Sequence, residues 1–484
     1  MKTKTSKWLL RLAAGVLAAG SLLLLGSCGE KEGEPGTVET VPASGPAGGE
    51  EDPLSRVPVK ELNRDFTILS AGYCTSWLEE EHPDEVGSTR LACFRQFEET
   101  YKTTVYSVGA EANDVVQGLR SVQMTGDTSY DFVYPHPTTG IVGMIVEGYF
   151  ADLQKIETIN LSGAGYNQSQ IENYITNGKL YLCVPDLAVD GQGFFALVYN
   201  REVLKNYDFD ANHIKDLVDS KKWTAEALAE MVRQTSMTGD TADEASRTYG
   251  LIFNTLPISR WMYAMNERIL AKDAEGNFVA GMANKNMIRI ANALDQVLYS
   301  APETVLMDSN YNAQLANGKM YNTFRSKRGL FITWDVGSCF SYLRELDFKK
   351  GYAPLPMLDD KQEDYRVVCA SGLMGIPAIT ESVADSGLAM EFFSVYSAAY
   401  LRPVFFSAII GGRLSEYPED FAMLNLLHSK KFYDVGYTLD EGEQMLHVLK
   451  KAVIDNRNPD SIATVVRSNA AILSEIVKKA NEMQ

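Results

Sequence analysis

Basic residues are outnumbered: 45 Lys and Arg stand against 63 Asp and Glu, a formal net charge of −18 over 484 residues. A nucleic-acid partner needs a positive surface that neutralises phosphates, so that class is excluded first. Histidine is scarce too. The five histidines include no His-x3-His pair, and no Cys-x-x-Cys spacing occurs, which leaves little material for a metal or haem site. Catalytic signatures are also missing: there is no Gly-x-Ser-x-Gly elbow, P-loop or His-Glu-x-x-His. Gly163-x-Gly165 needs a glycine at 168 to match a dinucleotide fingerprint, and Gln168 stands there. No cofactor and no enzyme activity are therefore expected. A carboxylate pair of the glycosidase kind stays open, because such pairs have no fixed spacing in sequence.

What is present begins with an address. Lys2, Lys4, Lys7 and Arg11 precede the run from Leu12 to Leu25, built from Leu, Ala, Val, Gly and one Ser. That is the n-region and h-region of a secretory signal, and it is shorter than the roughly 20 residues of a spanning helix. It closes on Leu25-Gly26-Ser27-Cys28, which resembles the bacterial lipobox. The resemblance implies cleavage before Cys28, a diacylglycerol on its thiol with palmitate among the acyl chains, and a protein held on the outer face of a bacterial cell membrane. From Gly29 to Asp65 there is no Phe, Tyr or Trp, and Gly, Pro and Glu punctuate the stretch. Such a segment cannot offset its own ordering entropy, so residues 28–64 are expected to be a flexible tether.

The 45% hydrophobic content predicts a large core and about two domains. Phe66 to Ser70 reads as a strand, Leu91, Phe94, Phe97 and Tyr101 as one face of a helix, and Thr104 to Val108 as a second strand. A helix carrying Val115, Leu119 and Val122 and a strand over Tyr130 to Tyr134 complete a βαβαβ unit, the mark of a parallel sheet. Gly178 to Leu182 and Phe195 to Tyr199 read as further strands. Thr224 is placed to cap a helix that buries Leu228, Met231 and Val232. Tyr249 to Asn254 and Gly329 to Trp334 are strands, Ile288 to Leu298 a helix, and Val465 to Val477 a helical stripe. No internal repeat is visible, so a second α/β lobe is expected from the later sequence.

The order of several segments resembles the type I extracellular solute-binding proteins of bacterial ABC importers, in the branch that includes the maltose-binding protein. The segments are Phe94-Arg95-Gln96-Phe97-Glu98-Glu99-Thr100-Tyr101, Met124 to Val133, and Gly178-Lys179-Leu180-Tyr181 leading through Pro185 to Val198-Tyr199-Asn200-Arg201-Glu202-Val203-Leu204. Lys222-Trp223-Thr224-Ala225-Glu226-Ala227-Leu228 and Tyr352-Ala353-Pro354-Leu355-Pro356 follow. The likeness covers most of residues 65–484. It implies a two-lobe periplasmic-binding-protein-like α/β fold, each lobe a mostly parallel sheet flanked by helices. Hinges are expected near Pro185 to Gly193 and Tyr352 to Pro356. The expected division is a signal peptide over 1–27, lobe 1 over 65–185 plus about 353–395, and lobe 2 over about 190–352 plus 396–484. Function then reads as capture of a small polar solute, with a carbohydrate favoured over an oligopeptide, a polyol or an organic phosphate. The receptor, a monomer, would hand that solute to ABC permease subunits.

Open α/β sheets bind ligands beyond the carboxyl ends of their strands. The loops there hold Tyr73, Trp77, Tyr134, His136, Trp261, Trp334 and Asp335, with Asp190, Phe194 and Phe195 at the first hinge. Aromatic planes flanked by carboxylates suit the apolar faces and hydroxyl rim of a sugar. The resemblance adds a stacking tryptophan at the position of Trp334. Core packing is the competing reading for Tyr73, Trp77, Trp261 and Trp334, and a rigid loop for His136 between two prolines. A surface adhesion or sensory module on the same fold, or a lipid-anchored glycoside hydrolase, would have the same sequence pattern. Five cysteines follow Cys28, namely Cys74, Cys93, Cys183, Cys339 and Cys369. An odd number is not a disulfide scaffold, although Cys183 and Cys369, both near the hinges, are expected to approach within disulfide range.

Overall fold

The computed structural model describes residues 51–483 except 72–76, 79–83, 138, 192, 208, 211, 237–245, 283, 284, 310–317, 337–341, 344, 370, 371, 441 and 442. At 112, 113, 142, 190 and 191 it describes the backbone alone. The signal-like segment, Cys28, Tyr73, Cys74 and Cys339 therefore lie outside the described residues, as does the side chain of Asp190.

The opening βαβαβ unit forms as its periodicity dictates. Strand β1 (Phe66–Ala71) pairs in parallel with β2 (Val105–Ala110) on one side and β3 (Phe132–Tyr134) on the other, so that Ile68 faces both Ser107 and Phe132. The connecting helix Glu85–Tyr101 begins where the Asp84 carboxylate accepts the Gly87 N–H at 2.9 Å, a side-chain cap for an orphan donor. Its buried face, Cys93, Phe94, Phe97 and Tyr101, meets the sheet through Phe97 and Phe66, whose ring centroids are 5.4 Å apart. The helix Ala112–Thr125 stops at Gly126, whose φ of 71° is the left-handed turn that glycine adopts without strain.

The second sheet is mixed. Strand β4 (Phe195–Asn200) is followed by β5 (Tyr249–Asn254) and a short antiparallel hairpin of β6 (Leu270–Lys272) and β7 (Phe278–Ala280). Strands β8 (Val305–Asp308), β9 (Gly329–Asp335) and β10 (Lys350–Ala353) complete it in the order β10-β4-β9-β5-β8. β5 runs parallel to β8 and β9, whereas β4 runs antiparallel to β9 and β10. Helices Ala225–Ser236 and Lys285–Tyr299 pack against one another beside this sheet, and Thr224 caps the first by accepting the Ala227 N–H at 3.3 Å. A last parallel pair, β11 (Val367–Val368) with β12 (Lys431–Phe432), ties late segments together.

Three expectations change. Gly178 to Leu182 is not a strand: Thr176 and Lys179 exchange backbone bonds of 3.0 and 2.9 Å across a turn in which Asn177 and Gly178 have φ of 47° and 71°. The following apolar residues are buried by single backbone contacts, such as Leu153 N–H to Leu180 C=O at 2.7 Å. The C-terminal stripe is two helices, Ile462–Ser468 and Ala470–Glu482, separated at Asn469. Residues 51–64, the last part of the expected 28–64 tether, are packed on the fold. Asp52 caps the 3-10 turn Pro53–Arg56, Leu54 and Val57 are buried, and Arg64 meets the buried Asp131 at 2.7 Å. Asp131 also accepts Thr67 N–H, Thr380 Oγ1 and Ser386 Oγ, so it joins the entry of the chain to β1 and to a much later helix.

That helix, Val383–Leu414, was not anticipated. It is 32 residues long and apolar enough to cross a membrane, yet half of its most apolar window is buried within the protein. It packs on the Glu85–Tyr101 helix, with Phe393 against Phe94 and Phe97. Its π-widened turns flank Pro403, which has no N–H to give to an α-helical ladder.

Candidate functional site

The carboxyl ends of strands from both sheets converge on one polar cluster. Tyr134 ends β3 and leads through Pro135 to His136. Asn254 ends β5 and leads to the helix Ser259–Ala264, which carries Arg260 and Trp261. Asp335 ends β9 opposite Phe195, the first residue of the antiparallel β4.

Burial pushes His136 below the ordinary histidine pKa; the nearby Glu443 carboxylate opposes that shift and the Arg260 guanidinium adds to it. His136 is therefore a neutral imidazole, able to donate at one nitrogen and accept at the other. Arg260 is buried, with its guanidinium 5.0 Å from the Phe195 ring and 5.2 Å from the Tyr437 ring. It donates to the Val368 carbonyl at 3.3 Å and to the Tyr437 hydroxyl at 3.4 Å, while its Nε is buried with no hydrogen-bond partner among the described residues. Gly193 lets the chain run close to Asp335, since a Cβ there would sit 2.8 Å from the carboxylate. The result is a set of one guanidinium, one imidazole, two carboxylates and a phenol beside an aromatic ring, the groups that bind hydroxyls through directional hydrogen bonds.

A second layer lies beneath. Lys431 on β12 is buried with its ammonium 5.6 Å above the Phe194 ring. Burial draws its pKa down to about 8, against the opposing charges of Asp186 and Asp335. Asp186 is ion-paired with Arg402. His428 stands 4.8 Å from Phe406 and 6.5 Å from Phe194, and burial holds it down to about 2, with Lys431 and Arg402 adding to the effect.

Of the residues singled out in the sequence, His136, Phe195 and Asp335 belong to the polar cluster, and Phe194 lies beside Lys431. Trp77 and Tyr134 form a separate aromatic pair, 5.2 Å apart, with Arg90 5.3 Å over the indole; both are buried. Trp261 packs against Phe253 at 5.4 Å, and Trp334 against Tyr321 at 5.7 Å, so both indoles are in the core of this conformation. Cys93, Cys183 and Cys369 are buried thiols, and no disulfide joins Cys183 to Cys369. Among the described residues no group of three or more His, Cys, Asp or Glu is placed to hold a metal ion.

Arg260, Tyr437 and Glu443 escaped the sequence reading. Arg260 had a signal, a lone cation inside the apolar Pro257-Ile258-Ser259-Arg260-Trp261-Met262. Tyr437 and Glu443 had none, because nothing local ties them to residues so far away in the chain.

No protein-family model and no curated protein matches this sequence. Solved structures do. An ABC substrate-binding protein from Listeria monocytogenes in complex with cycloalternan is 12% identical, covers 86% of this chain and 98% of its own, and superimposes with a TM-score of 0.55. The cyclic alpha-maltosyl-1,6-maltose binding protein from Arthrobacter globiformis is 11% identical, with 87% and 98% covered and a TM-score of 0.56. UgpB from Mycobacterium tuberculosis in complex with glycerophosphocholine is 13% identical, with 85% and 98% covered and a TM-score of 0.55. Two sheets with helical flanks and near-complete coverage of these proteins give this chain the two-lobe α/β fold of ABC-transporter substrate-binding proteins.

Proposed function

We propose that the protein is an extracytoplasmic, lipid-anchored receptor that captures a small polar solute, a carbohydrate in preference to others, and delivers it to an ABC importer. The observation that carries the reading is the meeting of His136, beyond the first sheet, with Arg260, Asp335 and Glu443, which belong to later segments. In this reading Arg260, His136, Asp335, Glu443 and Tyr437 bind hydroxyls and Phe195 offers a face to the sugar ring. Trp77, Tyr134 and Phe194 shape the wall behind them. Tyr73 and Asp190 are assigned to the same site, while Trp261 and Trp334 support it from the core. The solute favours the closed state because it touches groups from both lobes at once, and the permease reads that state. Nothing in this scheme needs a reaction. Cys28, lipidated after cleavage, holds the receptor at the membrane.

A thermal-shift screen of a chain starting at Thr40, against mono- and oligosaccharides, polyols, glycerophosphodiesters, amino acids and short peptides, tests this. A solute at 100 times its dissociation constant stabilises the native state by roughly 2.7 kcal/mol. A shift with one sugar class and no consumption of that sugar supports the receptor. A screen with no shift sinks the capture reading in favour of an adhesion or sensory module, and turnover replaces it with a hydrolase.

A further inference from the structure

Away from the polar cluster, a cavity of about 780 Å³ opens where β7, the start of the Lys285–Tyr299 helix and the two C-terminal helices meet. That volume is within the range of roughly 300–1,000 Å³ typical of small-molecule sites. Its walls are hydrocarbon: Met282, Met287 and Leu473 are buried at its base, Val466 adds to the wall, and Val279 leaves an exposed apolar lip. Its charges are of one sign. Lys285 and Arg467 line it, no carboxylate does, and neither cation has an ion pair or hydrogen bond among the described residues. In a chain with a net charge of −18 this is a local reversal. Ala470, which opens the Ala470–Glu482 helix, and Lys285, which opens the Lys285–Tyr299 helix, bring two helix N-termini to the same lining, and each adds partial positive charge.

We propose that this cavity is a second ligand site, for an amphipathic anion whose carboxylate meets Lys285 and Arg467 and whose alkyl chain fills the apolar interior. The site is independent of the solute proposed for the polar cluster. Burial of methylenes dominates the affinity, so each added CH2 tightens binding about fourfold, while the two cations select an anionic head.

The test is titration calorimetry of the chain from Thr40 with octanoate, decanoate and neutral decanol, all below micelle formation. One saturable site is expected, with decanoate about fifteenfold tighter than octanoate. The Lys285→Glu/Arg467→Glu double variant, altered at two exposed positions, should weaken decanoate at least tenfold and leave decanol within twofold. Ser474→Trp, which fills the cavity from an exposed helix position, should remove both. Absence of a saturable site, decanoate binding untouched by the double variant, or binding that survives Ser474→Trp overturns the proposal. So does a dimer in sedimentation that both variants disperse, since the occupant is then a second copy.

Discussion

Trp334 stands one residue before the end of β9, where a parallel strand delivers side chains to a ligand cleft, yet its indole is fully buried between Tyr321, at 5.7 Å, and Tyr342, at 6.5 Å. Truncation there removes core volume that neighbours cannot refill. Trp334→Ala is expected to cost about 3–5 kcal/mol of stability, seen as a lower urea midpoint with an unchanged slope. Retained stability with a tenfold loss of solute affinity would instead return Trp334 to the ligand surface. Arg260 is the opposite case, a buried cation whose Nε has no partner among the described residues. Arg260→Met keeps the aliphatic stem and removes the guanidinium. The affinity for the solute found by the thermal screen should fall tenfold or more, about 1.4 kcal/mol, with little change in melting temperature. Calorimetry with an unchanged dissociation constant would take Arg260 out of the site.

At the scale of elements, legibility follows from how local the cause is. The Glu85–Tyr101 helix could be read because its cap, Asp84, and its buried face lie within one short window. The Val383–Leu414 helix could not, because residues such as Leu388, Met390, Phe392 and Phe393 are buried on all sides and leave no 3.6-residue period to detect. Gly178 to Leu182 failed for a related reason: a short apolar run looks the same whether a sheet or a set of loops covers it. The N-terminal turn misled by composition. Its Gly, Pro and Glu neighbours suggested a tether, but Leu54 and Val57 are buried and Tyr400 donates to Asp52 at 2.9 Å. A chain beginning at Pro58 should therefore lose roughly 1.5–3 kcal/mol for each of those two side chains relative to one beginning at Thr40. Equal melting temperatures for the two chains would place the turn outside the folding unit.

At the scale of the whole molecule, charge buried between distant segments sets the response to pH. His428, on the helix Pro418–Ser429, has its pKa held down to about 2 by burial first and by Lys431 and Arg402 after it. Unfolding restores an ordinary histidine near 6.5, so between those values the unfolded chain binds the extra proton. Stability from this residue is thus fully present above pH 6.5 and is lost as pH falls below it, by up to about 1.4 kcal/mol per pH unit. Burial acts the other way on Asp420, Asp434 and Glu391, whose raised pKa values make the folded state bind protons first. The difference between the parent and His428→Leu isolates the histidine: urea midpoints at pH 7 and pH 5 should converge in the variant and diverge in the parent. An identical acid loss in both proteins would assign it to other groups.

Sequence by itself determined the parallel βαβαβ opening, the strands at 195–200, 249–254 and 329–335 and the α/β class, because caps, turns and periodicity act over a few residues. It also brought His136, Phe195 and Asp335 into view through their places at strand ends. Only the tertiary structure decided that Arg260, Tyr437 and Glu443 join them, that Trp261 and Trp334 turn into the core, and that Lys285 and Arg467 share one apolar cavity. The cluster and the cavity rest on contacts between segments far apart in the chain, and the burial of the two indoles on how sheet and helices pack; no local pattern encodes which side chain will arrive to desolvate, pair or cover another.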